Sequence, residues 1–284
     1  MRIVLLANDS VAYSGILSYP IIKKFSKDIV GIFVQDGMLD SKNNSFEIFK
    51  KVKKKSGLKY AFSLAIETLN YQYAIRIRNF FHMNKHENND YLNLNSKLGE
   101  EFKIPVFPVE GSINDHSWVE KIRGLKPDLI ICIRYAEILK KDVLDIAPYG
   151  IINFHPSLLP KYKGLGPIFQ AILHDEKEVG FSFHYIDEKI DTGNIIKMKK
   201  IRMNGDDSVS RLTIRAHVLG GQELVSIITD LNNGRKIMEK TVDVDASYFS
   251  WPEKEDVKKF FASKKKYVLV RDFFSLVFFN SKEI

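Results

Sequence analysis

Short, uninterrupted apolar runs that alternate with helical stretches are the feature that most constrains the fold of this chain. The two clearest runs, residues 2–7 and 128–133, carry a charge only at their first position. Runs of this kind are typical of strands that a parallel sheet buries on both faces. We expect further strands at residues 29–34, 104–107, 150–154 and 180–186, and helices at 13–25, 118–125 and 138–147. This alternation predicts an α/β fold built on an open parallel sheet.

Composition narrows the class of protein further. The chain has 284 residues, of which 45% are hydrophobic and 27% charged, so it is globular rather than disordered or fibrous. Its one cysteine, Cys132, lies within a predicted strand, so we expect an inert buried thiol and no internal disulfide. Because residues 1–10 show no secretory signal, we predict a cytoplasmic protein. The net charge of +8 suits an anionic partner but is also common among soluble proteins with lysine-rich surfaces.

Polar side chains stand near the ends of two predicted strands. Asn153 and His155 are two residues apart and therefore project to the same side of a strand, which Pro156 should end because it lacks a backbone N–H. A polar turn that contains Asp191 follows the strand expected at 180–186. Ligands of open α/β sheets bind in the crevice beyond strand ends, so we expect Asp191 to meet His155 there.

An amide, an imidazole and a carboxylate at one site suit acyl transfer to an amine. A neutral imidazole accepts the proton of the amine, and a carboxylate fixes its tautomer and stabilises the imidazolium. An amide N–H donates to the oxyanion that develops on the acyl group. No serine or cysteine nucleophile is needed, because the substrate amine is the nucleophile. The structural alternative is a satisfied polar pair at the end of a strand.

A longer pattern surrounds these residues. Residues 153–164 read N-F-H-P-S-L-L-P-K-Y-K-G, and residues 187–193 read D-E-K-I-D-T-G. This two-part pattern resembles the signature of formyltransferases that use 10-formyltetrahydrofolate, in spacing as well as in sequence. Within that family the methionyl-tRNA and nucleotide-sugar branches are the most similar. The resemblance extends from residue 1 to about residue 237 and is strongest over residues 128–196.

The resemblance implies a Rossmann-like, mostly parallel core and a folate-dependent one-carbon transferase that needs no metal. It implies that Asn153 binds the oxyanion, that His155 is the general base and that Asp191 supports His155. It also implies that the main chain of two loops holds the pteridine of 10-formyltetrahydrofolate. These loops comprise Glu137, Ile138 and Leu139, and Tyr185, Ile186, Asp187 and Ile190. Glu137 replaces an arginine of the purine branch, which main-chain contacts would tolerate.

The acceptor amine is expected beside Lys161, Lys163 and Gly164. We expect a catalytic core over residues 1–237, with a helical insertion at about 56–97, and a short extension over 238–284. The methionyl-tRNA branch has a longer carboxyl-terminal barrel, so the resemblance favours a small amine, in particular a nucleotide-linked amino sugar. The alternative acceptor is an aminoacyl-tRNA. A formyl-folate hydrolase and a non-catalytic protein that kept the fold are the further alternatives.

Some features are not explained by this reading. The helix expected over residues 60–81 is apolar around most of its circumference, which favours burial or cover by a second copy over peripheral membrane contact. We expect the lysine-rich, aromatic segment 258–279 to pack on the core rather than to bind RNA or a membrane. His82 and His86 have the spacing of metal ligands but no evident third ligand, so we predict no metal there. His184 is either a core residue or part of the folate site.

Overall fold

The computed structural model describes residues 1–10, 13–35, 45–81, 92–235 and 244–278. The strands are β1 (Ile3–Asn8), β2 (Ile29–Gln35), β3 (Val106–Val109), β4 (Leu129–Ile133), β5 (Ile151–His155), β6 (Lys163–Gly164), β7 (Glu178–Tyr185), β8 (Ile195–Arg202) and β9 (Tyr248–Phe249). The helices are α1 (Ser14–Phe25), α2 (Ser45–Ser56), α3 (Leu58–Phe80), α4 (Asn95–Glu101), α5 (His116–Gly124), α6 (Lys141–Leu144), α7 (Pro167–Leu173), α8 (Val209–Asn232), α9 (Lys254–Ala262) and α10 (Val270–Val277).

The main sheet has the strand order β3-β2-β1-β4-β5-β7-β8. Strands β1 to β5 pair in parallel, whereas β7 pairs antiparallel with β5 and β8 antiparallel with β7. The prediction of a mostly parallel α/β sheet is thus confirmed. The order reverses between β1 and β4, and this reversal opens a crevice beyond the carboxyl ends of these strands.

Two helical layers cover the sheet, as buried parallel strands require. The side chains of α1, α7, α8 and α9 form the larger core, which includes Leu17, Phe169 and Phe260, all almost fully buried. The side chains of α5 and α6 cover the other face and pack on Phe33 and Ile130. Both faces of the central strands are therefore dry, and this explains why their sequences are continuous apolar runs.

The element boundaries differ from expectation in two places. Strand β3 begins at Val106 instead of residue 104, because the chain first turns out of α4 through Lys103, which has a φ of 57°. The helix expected over 138–147 is only the four residues Lys141–Leu144. The preceding residues instead form a loop that hydrogen bonds to the turn before α5, where the side chain of Asn114 contacts the main chain of Lys140.

Helix α3 follows α2 and packs with one face against the core and against α10. The residues on that face include Tyr60, Glu67, Tyr71 and Arg78, whereas the opposite face is exposed. Within the described chain α3 is therefore buried on one face only, and the expected cover of its other face by a second copy stays a prediction. The expected insertion at about 56–97 includes α3, while the expected boundary at residue 237 lies outside the described residues.

The carboxyl-terminal helices pack on the core, as we expected for this segment. Phe260 of α9 stacks on Phe169 at a centroid distance of 4.5 Å. In α8, a Cβ atom at Gly220 would lie 2.4 Å from the ring of Phe154, so only glycine allows this helix to approach β5 so closely. Helix α8 is thereby held against the strand that carries Asn153 and His155.

Candidate active site

Strand pairing brings the first polar side chains together. In the antiparallel ladder between β5 and β7, Asn153 lies directly opposite His184, and His155 lies opposite Ser182. Residues that face each other in such a ladder have neighbouring side chains. The Nδ2 atom of Asn153 lies 3.0 Å from Nε2 of His184. An amide and two imidazoles thus share one side of the sheet.

Asp191 reaches this group from the loop between β7 and β8. Its Oδ2 lies 3.5 Å from Nδ1 of His155, and its Oδ1 lies 3.6 Å from Nε2 of His184. The loop leaves β7 beside the amino end of β5, so it must fold back over the sheet to bring Asp191 to His155. The left-handed backbone of Asp191, with a φ of 51°, makes part of this turn.

The His155 imidazole is buried and faces an acceptor on each side. Its Nε2 lies 2.9 Å from the carbonyl oxygen of Tyr162, and its Nδ1 faces Asp191. Burial lowers the pKa of His155, and the Asp191 carboxylate and the Tyr162 carbonyl oppose this effect. If Nε2 donates its proton to Tyr162, the neutral ring keeps the lone pair on Nδ1. The ring can therefore accept a proton at Nδ1, where the carboxylate stabilises the resulting charge.

Asp191 is ionised at neutral pH although it is mostly buried. Burial alone would raise the pKa of this carboxyl group, but nearby His155 and the hydrogen bond from the Gly164 N–H outweigh it. The pKa of Asp191 consequently falls to about 2. The Gly164 nitrogen lies 2.8 Å from Oδ2, the oxygen that also faces His155. A permanent negative charge thus lies beside the imidazole.

The structure assigns His184 to this site rather than to the apolar core. Its Nδ1 lies 2.7 Å from the carbonyl oxygen of Tyr185, so Nδ1 donates and Nε2 accepts from the Asn153 amide. This contact fixes the orientation of the amide and leaves its second N–H available. The antiparallel pairing of β7 with β5, which the sequence did not predict, puts His184 opposite Asn153.

The first loop expected to hold the pteridine is braced by its own side chain. The Glu137 carboxylate accepts hydrogen bonds from Ser112, from the Ile113 N–H at 3.0 Å and from Asn114 at 2.8 Å. Ile138 is 59% exposed, whereas Leu139 is buried in the core. The carboxylate of Glu137 is thus a structural brace for the loop, and a ligand would meet the main chain here.

The second loop is closed on itself. The Tyr185 N–H donates to the Asn194 carbonyl at 3.0 Å, and the Ile186 N–H donates to Ile151 at 2.9 Å. Asp187 accepts hydrogen bonds from the Lys189 N–H at 3.1 Å and from the Thr192 hydroxyl at 2.7 Å. Ile190 is 40% exposed at the rim of this loop. These bonds hold the turn that positions Asp191.

A buried hydroxyl next to the first loop is placed to bind a polar group of a ligand. The hydroxyl of Tyr135, which lies between β4 and the Glu137 loop, is buried and has no hydrogen-bond partner in the described part of the chain. Buried hydroxyls normally have a partner, so a ligand polar group is a reasonable complement for this one. Burial raises the pKa of the Tyr135 hydroxyl, which therefore stays protonated. The residues present are compatible with a folate.

The residues expected to bind the acceptor occupy different positions. Gly164 donates to Asp191 and is part of the cluster itself. The Lys163 backbone pairs with Tyr248 in the small β6-β9 sheet. Lys161 lines a cleft of about 1010 Å³ that adjoins the segment after His155, and its Nζ lies 3.1 Å from Glu176. Of the three residues, Lys161 is the one that lines this cleft.

A second buried polar cluster, which the sequence did not indicate, lies beyond the carboxyl ends of β1 and β4. Its members are Glu67 of α3, Arg134, Tyr13, His217 and Tyr267. The Tyr267 hydroxyl lies 3.5 Å from Glu67, and Nη1 of Arg134 lies 3.4 Å from Nε2 of His217. Burial raises the pKa of Glu67 to about 7, although the Arg134 charge opposes this. We call this group the Glu67 cluster.

The Glu67 cluster adjoins the first one. The ring of His217 packs against Phe154, between Asn153 and His155, at a centroid distance of 4.9 Å. Nδ1 of His217 donates to the Thr213 carbonyl at 2.7 Å, so Nε2 accepts from Arg134. Burial, followed by the Arg134 charge, lowers the pKa of His217 to about 3, and the ring is neutral.

The described residues form neither a metal-ligand cluster nor a membrane-spanning helix. The described ranges contain no group of three or more His, Cys, Asp or Glu side chains able to hold a metal ion. The residues His82 and His86 lie outside those ranges. The helices within the described residues are each too short or too polar to cross a membrane. Cys132 is buried in β4, and burial raises the pKa of its thiol to about 12, as expected for an inert cysteine.

An α/β sheet that presents an amide, two imidazoles and an ionised carboxylate at one strand end defines an enzyme with acid–base chemistry. Residues 97–228 match the family described as formyl transferase. The matched segment contains β5, β7 and the loop with Asp191, so the part of the chain that carries the polar cluster is similar to formyl transferases. The family resemblance expected from residues 153–164 and 187–193 is thereby confirmed.

Methionyl-tRNA formyltransferases are among the relatives in sequence. The chain is 37% identical over 142 residues to the methionyl-tRNA formyltransferase of Alkaliphilus metalliredigens, which covers 50% of this chain and 45% of that protein. It is 36% identical over 160 residues to the methionyl-tRNA formyltransferase of Geotalea daltonii, which covers 56% of this chain and 51% of that protein. The chain spans about half the length of the curated relatives it matches.

Solved structures share the fold at lower identity. A glycinamide ribonucleotide transformylase of Symbiobacterium toebii superposes with a TM-score of 0.57 at 15% identity, covering 86% of this chain and 94% of that one. An N-formyltransferase of Helicobacter canadensis, in complex with folinic acid and dTDP-3-aminofucose, superposes with a TM-score of 0.55 at 19% identity. That comparison covers 88% of this chain and 71% of the other.

Proposed function

We propose that this protein is an N-formyltransferase that moves a formyl group from 10-formyltetrahydrofolate to an amine. The observation that carries the proposal is the convergence of Asn153, His155 and Asp191, with His155 3.5 Å from the carboxylate and Asn153 oriented by His184. An acid–base pair and a free amide N–H are the groups that formyl transfer to nitrogen requires.

The chemistry assigns a role to each residue. 10-Formyltetrahydrofolate, when bound, supplies the electrophilic formyl carbon. The second N–H of Asn153 donates to the formyl oxygen as negative charge develops on it. His155 accepts a proton from the attacking amine and delivers a proton to the nitrogen that leaves with the folate. A carbon–nitrogen bond to the acceptor forms and the carbon–nitrogen bond to the folate breaks, so atoms and charge balance.

Asp191 contributes by remaining ionised beside the imidazole. Its pKa of about 2 means that it does not take the proton from His155 in the physiological range. The negative charge stabilises the imidazolium that forms during the reaction. Nearly complete burial of both side chains, at 7% and 11% exposure, strengthens that interaction.

We propose the main chain of residues 137–139 and the closed loop 185–190 as the folate-binding walls. The first loop is braced by the Glu137 carboxylate and the second by the Asp187 turn, so neither needs to reorganise on binding. The buried Tyr135 hydroxyl supplies an additional polar group between β4 and the first loop. Rigid main-chain donors and acceptors suit a flat heterocycle such as a pteridine.

For the acceptor we propose a nucleotide-linked amino sugar. The segment 244–278 supports this choice, because β9 pairs with β6 directly beside Asp191 and so forms a wall of the acceptor side. Tyr248 of β9 pairs with Lys163, and the ring of Phe249 stacks on Tyr162 at a centroid distance of 5.6 Å. Basic and aromatic groups are those that bind a diphosphate and a base. We also propose a catalytic core over residues 1–237, an insertion at about 56–97 and a short extension over 238–284.

An aminoacyl-tRNA is the second candidate acceptor. The sequence relatives named methionyl-tRNA formyltransferase favour it, although this chain spans only about half of each. The clefts beside Lys161 and Lys264 add basic side chains, in particular Lys177, Arg202 and Lys266. Such groups bind a phosphate backbone.

One experiment separates the two candidates. The purified protein is incubated with 10-formyltetrahydrofolate and either a panel of nucleotide amino sugars or methionyl-tRNA, and N-formyl products are measured by mass spectrometry. We expect a formylated sugar at enzyme-dependent rates and no formylmethionine. Formylation of methionyl-tRNA alone would show that the acceptor is an aminoacyl-tRNA and not a sugar. No N-formyl product from either class, with intact folate binding, would contradict the proposed activity.

A further inference from the structure

Helix α3 carries a row of exposed apolar side chains on the face that points away from the core. The row consists of Leu58, Phe62, Ile66, Leu69 and Tyr73, each between 44% and 51% exposed. Steps of three and four residues place them on one side of a helix. We call this row the α3 outer face. Soluble proteins scatter exposed apolar residues singly, whereas a contiguous row marks a surface that interacts with something.

The orientation of α3 is fixed by its opposite face, so the outer face is not a consequence of a loosely packed helix. Tyr60 packs edge-on against Phe169 and Tyr267, at centroid distances of 5.2 and 5.4 Å. Arg78 is completely buried, and its Nη1 donates to the carbonyl oxygen of Val277 at 2.8 Å. The helix is thus attached to the core near both of its ends.

The apolar surface continues at the carboxyl end of the helix. The bond from Arg78 to Val277 holds the ends of α3 and α10 together, and Phe81 and Phe278 follow these two helix ends. Phe81 is 65% exposed and Phe278 is 66% exposed. Large aromatic side chains at the shared end of two helices extend the outer face beyond one helix.

The charged groups around this surface are mainly basic. The exposed positions of α3 outside the row are Lys59, Gln72, Arg76, Asn79 and Phe80, with no acidic side chain among them. Helix α2 borders the row through Phe49, whose ring packs on Phe62 at 5.5 Å. It contributes the exposed basic residues Lys50, Lys51, Lys53 and Lys54, of which Lys50 pairs with Glu47.

We propose that the α3 outer face and the lysines of α2 dock on the surface of an anionic lipid bilayer. Aromatic and aliphatic side chains enter the boundary between headgroups and acyl chains, while lysines beside them contact negative headgroups. A second copy of the chain fits less well. A symmetric interface would place the same basic groups of both copies against each other, and the row offers no carboxylate to compensate them.

The test uses the whole chain and vesicles of defined composition. Binding to phosphatidylglycerol and to phosphatidylcholine vesicles is measured by co-sedimentation at about 50 and 500 mM salt. The variant Tyr73→Ser is compared with Tyr149→Ser, which removes a similarly exposed tyrosine at 46% exposure from the loop before β5. The double variant Lys53→Gln with Lys54→Gln is compared with Arg123→Gln with Lys126→Gln on and after α5, which covers the other face of the sheet.

We expect salt-sensitive binding to phosphatidylglycerol vesicles and much weaker binding to phosphatidylcholine. Tyr73→Ser should lower the partition coefficient about fivefold, and the double lysine variant about tenfold or more, whereas both controls bind like the parent. Circular dichroism establishes that every variant is folded. Absence of binding at low salt, or equal binding by Tyr73→Ser and the parent, overturns the proposal. So does a dimer in light scattering that Tyr73→Ser dissociates without any vesicle binding.

Discussion

Asp191 and Glu67 are two buried carboxyl groups in neighbouring clusters, yet they hold their protons very differently. The pKa of Asp191 is lowered to about 2, whereas the pKa of Glu67 is raised to about 7. Burial acts in the same direction on both. Asp191 accepts a hydrogen bond of 2.8 Å from the Gly164 N–H and faces His155, while the Tyr267 hydroxyl lies 3.5 Å from Glu67.

The comparison shows that donors in direct contact, rather than depth in the protein, decide the charge of a buried carboxylate. The first cluster is built to keep a negative charge, as a partner of an imidazole that gains a proton must. The second is built so that its carboxyl group changes charge near neutral pH. Substitutions that change one carboxyl group and leave the other intact therefore test this contrast.

The largest effect is expected for Asp191→Asn. The amide has the same shape but no charge, so the imidazolium of His155 loses its stabilising partner, and we expect the turnover number to fall about a thousandfold. Formyl transfer to the acceptor found in the product screen provides the measurement. Asp230→Asn, in an exposed ion pair on α8, should retain the parent rate. A rate for Asp191→Asn within threefold of the parent would remove the carboxylate from the mechanism.

A smaller kinetic loss is expected for Asn153→Ala. This change removes the N–H that stabilises developing charge on the formyl oxygen, so we expect kcat to fall roughly a hundredfold while KM changes little. Steady-state kinetics give both constants. If KM rises and kcat stays constant, Asn153 serves in ground-state binding and the oxyanion role is incorrect.

Glu67→Gln tests the contrast through stability. In the parent, a folded pKa of about 7 against an unfolded value of about 4.5 means that stability falls as the pH rises from 4.5 to 7. The glutamine variant lacks this loss. We expect its free energy of unfolding, relative to the parent, to improve by about 3 kcal/mol between pH 4.5 and pH 8.

Urea unfolding at the two pH values measures this difference. Asp191 behaves in the opposite sense, because its lowered pKa contributes stability above about pH 4 that is lost as the pH falls towards 2. Asp191→Asn also removes the carboxylate that raises the pKa of His155, so any change it makes above pH 4.5 is a steeper rise in stability with pH, opposite in sign to the loss caused by Glu67. Equal slopes for Glu67→Gln and the parent over that interval would show that folding does not raise the pKa of Glu67.

The smallest effect is expected for His184, a positioning residue that acts through Asn153. His184→Ala frees the Asn153 amide to rotate, and we expect about a tenfold loss in kcat. His184→Gln offers an acceptor in a similar place and should recover part of this loss. A structural role alone would not distinguish the two variants, so equal rates for alanine and glutamine would contradict the positioning role.

Much of the sheet follows from the sequence because its strands are buried on both faces. The runs at 3–7 and 129–133 could pack only as central strands, and the polar residues that follow them had to lie at their ends. The antiparallel direction of β7 could not be read in the same way. Strand direction depends on how the connection crosses the sheet, and that in turn depends on packing of α7 rather than on local pattern.

The candidate site, like the sheet, could be predicted from the sequence only in part. The spacing of Asn153, His155 and Pro156 already implied two polar side chains on one side of a strand end. His184 could be assigned to the site only from the strand pairing, which places it opposite Asn153. The Glu67 cluster joins residues 13, 67, 134, 217 and 267, which have no common sequence pattern. Such long-range polar contacts arise from tertiary packing, so no local pattern in the sequence could predict them.

The most direct test of the account concerns the His155 imidazole itself. Formyl transfer by His155→Ala is compared with that by His116→Ala, which removes an exposed histidine from α5 on the other side of the sheet. Our account predicts that His155→Ala is folded, binds folate and loses at least a hundredfold in turnover, whereas His116→Ala is unaffected. A folded His155→Ala variant that forms the N-formyl product at the parent rate would contradict it.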